Sequence, residues 1–332
     1  MTQQLNQVEQ AAYSLIHEDA RFIYTLVLLN QSERSYSNYF LMFMPYIGIF
    51  AYGAEQWGER AKLDAPRFTP EEKQYYIEVR QSHKSFEKNY REYSNELIKT
   101  LNESDSYFYS NRSLIDRIIG YKNVGTDIYS NHYCGNTILC ATYNPINPFH
   151  KGKEYNLLTI SIIAGKLAAF YGLPSLSAYK INTNIKLVYK DFHFFKNCPI
   201  TMKNELGFVL FSILCSINYI LEFIDKIVIA EIPIKFKSAY LLYYYLCGFI
   251  IDLNNTNSLN LKLNNSLYST GLRNCLAHYG LKKYMSSDDI IQEDVLKGLT
   301  VKTFGKNYYE TKELLFNSLK SLRNQIELLI FK

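Results

Sequence analysis

Residues 272–281 read LRNCLAHYGL, which sets Arg273, Asn274 and His278 into an otherwise apolar segment. An imidazole with an ordinary pKa near 6.5 moves a proton close to neutral pH. A guanidinium is always charged, and its fork matches the oxygens of a phosphate. Together they suit the cleavage of a phosphodiester whose neighbouring hydroxyl is the nucleophile. On a helix, Asn274 and His278 share a face, so the amide can orient the imidazole or hold a phosphate oxygen. Arg273 lies about 140° around the helix from His278, so a single chain offers an incomplete site and two copies about a two-fold axis a better one. The plainer alternative is a helix end in which Arg273 is paired on the surface and His278 favours the C-terminal dipole.

The rest of the chain offers little competing chemistry. His132, Cys134, Cys140 and His150 form a loose cluster. Their spacing matches no zinc module, so neither a metal nor a cofactor is expected. His17, His83 and His193 stand in no catalytic frame and read, like His132 and His150, as structural. No phosphate-binding loop, dinucleotide fingerprint or Ser-His-Asp set is present. The six cysteines follow no CxxC spacing, which predicts reduced, packed thiols and a cytoplasmic protein. The polar N-terminus, MTQQLNQVEQ, has no secretory pattern.

Formal net charge is +5, too mild to announce nucleic acid without a concentrated basic patch. Thirty Tyr and twenty Phe read mainly as core and amphipathic surface. Two apolar runs, 39–57 and 206–224, approach the length of a membrane span. The first is broken by Pro45, Gly48 and Gly53, and the second carries Asn218 and Glu222. Both are predicted to be buried core helices, with no membrane partner.

Helical periodicity is clear over 3–30 and over 69–101. In the second, Thr69, Pro70 and Glu72 make a capping box, and Val79, Phe86, Tyr90, Tyr93, Leu97 and Leu101 mark a buried face. The stretch 105–150 reads as irregular, 143–152 as loop, 154–171 as helix and 181–199 as a short hairpin or extended connector. From Asn204 onward four helical segments are predicted, at about 204–226, 236–253, 260–279 and 306–331. The Asn-rich segment 252–266 is a solvated loop or frayed helix start. The fold class is therefore mainly all-α: a four-helix bundle over 204–331, after a larger, mostly helical N-terminal region (1–200) with an irregular middle.

An Arg-Asn pair followed by His near the end of the third helix of a four-helix unit resembles the HEPN superfamily over about residues 204–331. Gly280 stands where it can stop that helix. The resemblance implies a metal-independent RNA endonuclease with Arg273, Asn274 and His278 as catalytic residues. It further implies RNA as substrate, a homodimer, a toxin or anti-phage role, and a trigger or antitoxin partner of unknown identity. Residues 1–200 would sense, recruit substrate or hold the dimer. One departure is visible: Tyr279 follows His278 directly, and Gly280 occupies the position where nucleotidyltransferase-controlled members carry a tyrosine. That form of control is not expected here. The alternatives are a HEPN-like module that binds RNA or a nucleotide without cutting it, and a helical interaction protein.

Overall fold

The computed structural model describes residues 5–32, 38–145, 148–149, 157–173, 176–185, 187–280, 284–291 and 294–331. In chain order the first helices are α1 (Gln7–Ser32), α2 (Tyr39–Met42), α3 (Met44–Ala61), α4 (Pro70–Ser82), α5 (Tyr90–Ser110), α6 (Leu114–Ile119), α7 (Thr137–Tyr143), α8 (Leu157–Gly172) and α9 (Phe194–Asn197). Next, α10 (Glu205–Asn218) passes through a π-helical turn, Tyr219–Ile224, into α11 (Asp225–Ile227). The chain continues through α12 (Pro233–Asn257), α13 (Thr270–His278), α14 (Val295–Phe304) and α15 (Tyr308–Ile330). The fold is mainly helical, as expected, and no sheet runs through the described part of 204–331.

The irregular middle holds a small sheet that composition did not announce. Strands β1 (Val124–Tyr129), β2 (His132–Asn136) and β3 (Leu187–Phe192) pair antiparallel in the order β2-β1-β3. Ser130 and Asn131 both adopt positive φ, the conformation of a tight hairpin turn, so this part of 105–150 is ordered rather than irregular. The segment read as hairpin or connector supplies the third strand. Of the stretch 143–152, residues 146–147 and 150–152 lie outside the described residues.

The longest predicted helix divides in two. Thr69 and Glu72 form the expected capping box at the start of α4. The helix then ends at Ser82, because Ser82, His83 and Ser85 bond carbonyls three residues back, an alternative to the helical ladder. Asn89 then caps α5 by accepting the Glu92 N–H. All six apolar residues of the predicted stripe are nonetheless buried. The break re-aims the chain without turning its apolar face outward.

A second correction falls just before the Arg-His segment. The third bundle helix begins at Thr270, not near 260. Ser258 ends α12 in a left-handed conformation, and the stretch to Ser269 is held without helix. Tyr243 Oη donates to the Asn264 carbonyl at 2.7 Å, Tyr240 Oη to the Leu267 carbonyl at 2.9 Å, and Asn254 brackets Leu261. Buried backbone needs partners, and here the tyrosine row of α12 provides them.

Among the described residues, one helix is long and apolar enough to cross a membrane, Glu205–Ile227, and it is buried inside the fold. The two polar residues that interrupt the apolar run 206–224, Asn218 and Glu222, both have partners. Asn218 donates to the Tyr133 carbonyl at 3.2 Å, and Glu222 binds Arg323 at 2.7 Å and also Lys226. The run at 39–57 is likewise core, divided at Phe43 into α2 and α3. Buried apolar residues from before and after position 204 form one continuous cluster.

Candidate active site

Helix α13 starts from Ser269, whose hydroxyl accepts the Leu272 N–H at 3.3 Å. It buries Leu272, Cys275, Leu276 and Ala277. The expected stop at Gly280 is not how it ends. Tyr279 itself turns left-handed at φ 48°, and Gly280 is not among the positive-φ glycines. That conformation costs a non-glycine residue about 1–2 kcal/mol. The ring is anchored in return: Tyr279 is buried, its hydroxyl donates to Asp19 of α1, and Lys237 of α12 donates to it at 2.7 Å. Lys237 also pairs with Asp19 inside the core. This three-membered lock sets the position of the residue immediately before it, His278.

Helix α3 is the platform on which the end of α13 rests. A Cβ on Gly53 would come within 2.9 Å of the Ala277 carbonyl and 3.0 Å of the Tyr279 ring. Only a bare backbone allows that approach. One residue before Gly53, Tyr52 turns its ring edge-on to His278, with centroids 6.1 Å apart.

The three sequence-predicted residues separate as helix geometry suggests. His278 is partly buried at the α3 contact. Arg273 points to α12, with Cζ 5.0 Å from the Tyr244 ring centre and 5.6 Å from that of Tyr245. Asn274 is exposed, and no hydrogen bond joins it to His278 among the described residues.

The surroundings contain residues that sequence reasoning did not single out. The end of α4 approaches α3 at Gly48, where a Cβ would lie 2.7 Å from the Arg80 backbone nitrogen. The Arg80 guanidinium covers the Tyr52 ring, with Cζ 3.6 Å from its centre, so Arg80 and His278 flank one ring. His83, read as structural, meets Tyr245 Oη through Nε2 at 3.2 Å, and its Nδ1 meets the Arg80 carbonyl. Tyr245 therefore stands between His83 and Arg273, as Tyr52 stands between Arg80 and His278. The chain matches no known family, curated protein or solved structure.

The electrostatics follow from this convergence. Burial, then the charges of Arg80, Arg273, Lys84 and Arg60, push the His278 imidazole down to about 4. Burial also holds His83 well below its ordinary range. Both are neutral bases at pH 7. The Nε of Arg80 and of Arg273 is buried without a hydrogen-bond partner among the described residues. Burial alone would raise the Tyr244 phenol, but bonds with Thr270, Tyr268 and Arg273 prevail and hold it below its ordinary value. Tyr268, half exposed, stacks on Tyr244 with centroids 4.5 Å apart and rings 10° from parallel. The two rings border an open cleft of about 380 Å³ that also reaches Phe86 and Asp252.

The remaining histidines have local partners. His17 meets the Tyr171 carbonyl at 2.9 Å, and His193 pairs with Asp105 at 3.1 Å. His132 faces Glu222 and Glu327 rather than cysteine, while Cys134 and Cys140 are buried free thiols. His150 lies outside the described residues. No group of three potential metal ligands occurs among the described residues.

Proposed function

We propose that the end of α13 is the active site of a metal-independent RNA endonuclease of the HEPN kind, with His278 as base and Arg273 as phosphate ligand. The observation that carries this reading is a neutral imidazole surrounded by cations. A base must be unprotonated to accept the 2′-OH proton, and nearby guanidinium charge stabilises negative charge developing on the phosphate. In the step, the 2′-oxygen bonds to phosphorus and the bond from phosphorus to the 5′-oxygen breaks. The 2′ proton passes to the imidazole, and the 5′-oxygen takes a proton from the imidazolium so formed. Asn274, exposed beside the site, is assigned to the RNA backbone rather than to the imidazole.

The toxin or anti-phage role, action in the cytoplasm as a homodimer, and the division at about residue 204 enter this proposal through the HEPN resemblance. The stacked Tyr244 and Tyr268 favour one second reading, a module that binds RNA without cutting it, since aromatic faces accept any base.

The test is incubation of the purified protein with RNA in EDTA, followed by analysis of the product ends. Expected are a 2′,3′-cyclic phosphate, and no cut where the 2′-OH is replaced by hydrogen. Ends bearing a 3′-hydroxyl and 5′-phosphate, with strict Mg²⁺ dependence, would sink the proposal. Binding without any cleavage would select the second reading.

A further inference from the structure

We propose that Arg80, delivered by the last turn of α4, is a second phosphate ligand of this site, so that one chain presents both guanidiniums to the substrate. The inference rests on the reading of α13 as an RNA site, and its own observations come from the N-terminal half. On α3, Gly48 and Gly53, five residues apart, are the two positions where neighbouring backbone approaches too closely for a Cβ. One receives Arg80 and the other receives the end of α13. Between them in sequence is Tyr52, which touches both the Arg80 guanidinium and the His278 ring.

Arg80 lacks the partners a structural arginine acquires. Buried charges are ordinarily paired, because desolvation is otherwise uncompensated. In this protein Arg323 has Glu222 at 2.7 Å, Lys312 has Asp225 and Glu231, and Lys237 has Asp19. Among the described residues, Arg80 and Arg273 have tyrosine rings and, for Arg273, the Tyr244 hydroxyl, but no carboxylate in an ion pair. Stacking orients a guanidinium while leaving its planar fork open for an anion. Two such forks, with a histidine beside them, offer an oxyanion site in which neither guanidinium is held in an ion pair among the described residues; the acids Glu87 and Asp252 line the adjoining cleft.

A second copy of the chain is thus not required to supply the second cation. Dimerisation can still recruit RNA, but Arg80 and Arg273 act on substrate in the same chain.

The experiment measures binding of an uncleavable single-stranded oligodeoxynucleotide of the substrate's sequence, against salt, and cleavage of the matched RNA. The full-length wild type is compared with Arg80→Gln, Arg80→Lys, Arg273→Gln and His278→Ala, with thermal unfolding recorded for each. Losing one phosphate contact lowers the slope of log affinity against log salt by about 0.7 for a single strand. Arg80→Gln is expected to show that loss and a fall in cleavage of about 10²-fold or more. Arg80→Lys is expected to restore the slope and little of the rate, because an ammonium lacks the fork. A purely structural Arg80 would change the melting temperature and leave the slope alone. If Arg80→Gln keeps the wild-type slope and rate while Arg273→Gln and His278→Ala are silent, the inference falls and the nuclease reading stands. If the wild type leaves RNA uncut, the nuclease reading falls and the slope still decides on Arg80. Mixing Arg80→Gln with Arg273→Gln protein should restore no cleavage. Restoration would place the two arginines in different chains and overturn the proposal.

Discussion

Two polar clusters lie on either side of the His278–Tyr279 bond, and they are built on opposite principles. On the Tyr279 side, Asp19, Lys237 and the phenol are buried together and bonded to one another through Asp19 Oδ2. Burial lowers the Lys237 pKa, and Asp19 opposes that shift. On the His278 side, Arg80, Arg273, Lys84 and Arg60 all act on one imidazole, and no acid is among its main influences. The first cluster uses charge to fix a strained helix end. The second leaves Arg80 and Arg273 without an ion pair among the described residues, where a solvent-facing cleft adjoins it. Closed ion pairs thus mark where this fold is held, and on the proposed function the unpaired cations mark where an anion fits.

The comparison predicts that substitutions on the two sides separate activity from stability. The largest effect is expected from His278→Ala. Loss of general base help costs about 10²–10⁴-fold in rate, with an unfolding free energy close to wild type. A variant that unfolds but retains its specific activity would reverse the assignment. Across the bond, Lys237→Met should leave Asp19 buried without its counter-ion, held only by the Tyr279 hydroxyl, costing about 3–5 kcal/mol in chemical denaturation. Adding Asp19→Asn should recover part of that loss. A Lys237→Met protein as stable as wild type would mean that the lock contributes nothing.

Because the folded-state pKa of His278 lies at about 4, the acidic limb of kcat/KM for RNA cleavage should fall well below pH 6. A limb centred near 6.5 would show that the four cations do not act on this ring. The same shift has a stability consequence with a definite sign. Between about pH 6.5 and about 4 the unfolded chain binds a proton that the folded one does not. Stability should therefore fall as pH drops through that window, and His278→Gln should flatten this part of the profile. The smallest effect is expected at Asn274. With no hydrogen bond to His278, Asn274→Ala should change kcat less than it changes KM. An equal loss in kcat to that of His278→Ala would restore the amide to the reacting centre.

Much of the helical framework is legible in the sequence alone. The capping box at Thr69, the buried face from Val79 to Leu101 and the apolar Glu205–Ile227 segment each express a local rule, and each stands where expected. Arg273, Asn274 and His278 share one short helix, and their angular separation follows from its pitch. What escapes a sequence reading is set by competition or by distance. Serine, histidine and asparagine side chains break the long helix at 83–89, where apolar spacing alone runs on unchanged. The three-stranded sheet needs a partner strand from beyond α8.

The candidate site divides the same way. Residue types and spacing determined which helix carries the imidazole and one guanidinium, because those depend on neighbours within a turn or two. That Arg80 and His83 come to the same rings depended on α3 presenting bare backbone at Gly48 and Gly53 to two helices almost two hundred positions apart. Such a meeting leaves no periodic signal in the chain. It exists because the packed core brings three helix surfaces within van der Waals distance, and only the tertiary structure decides that.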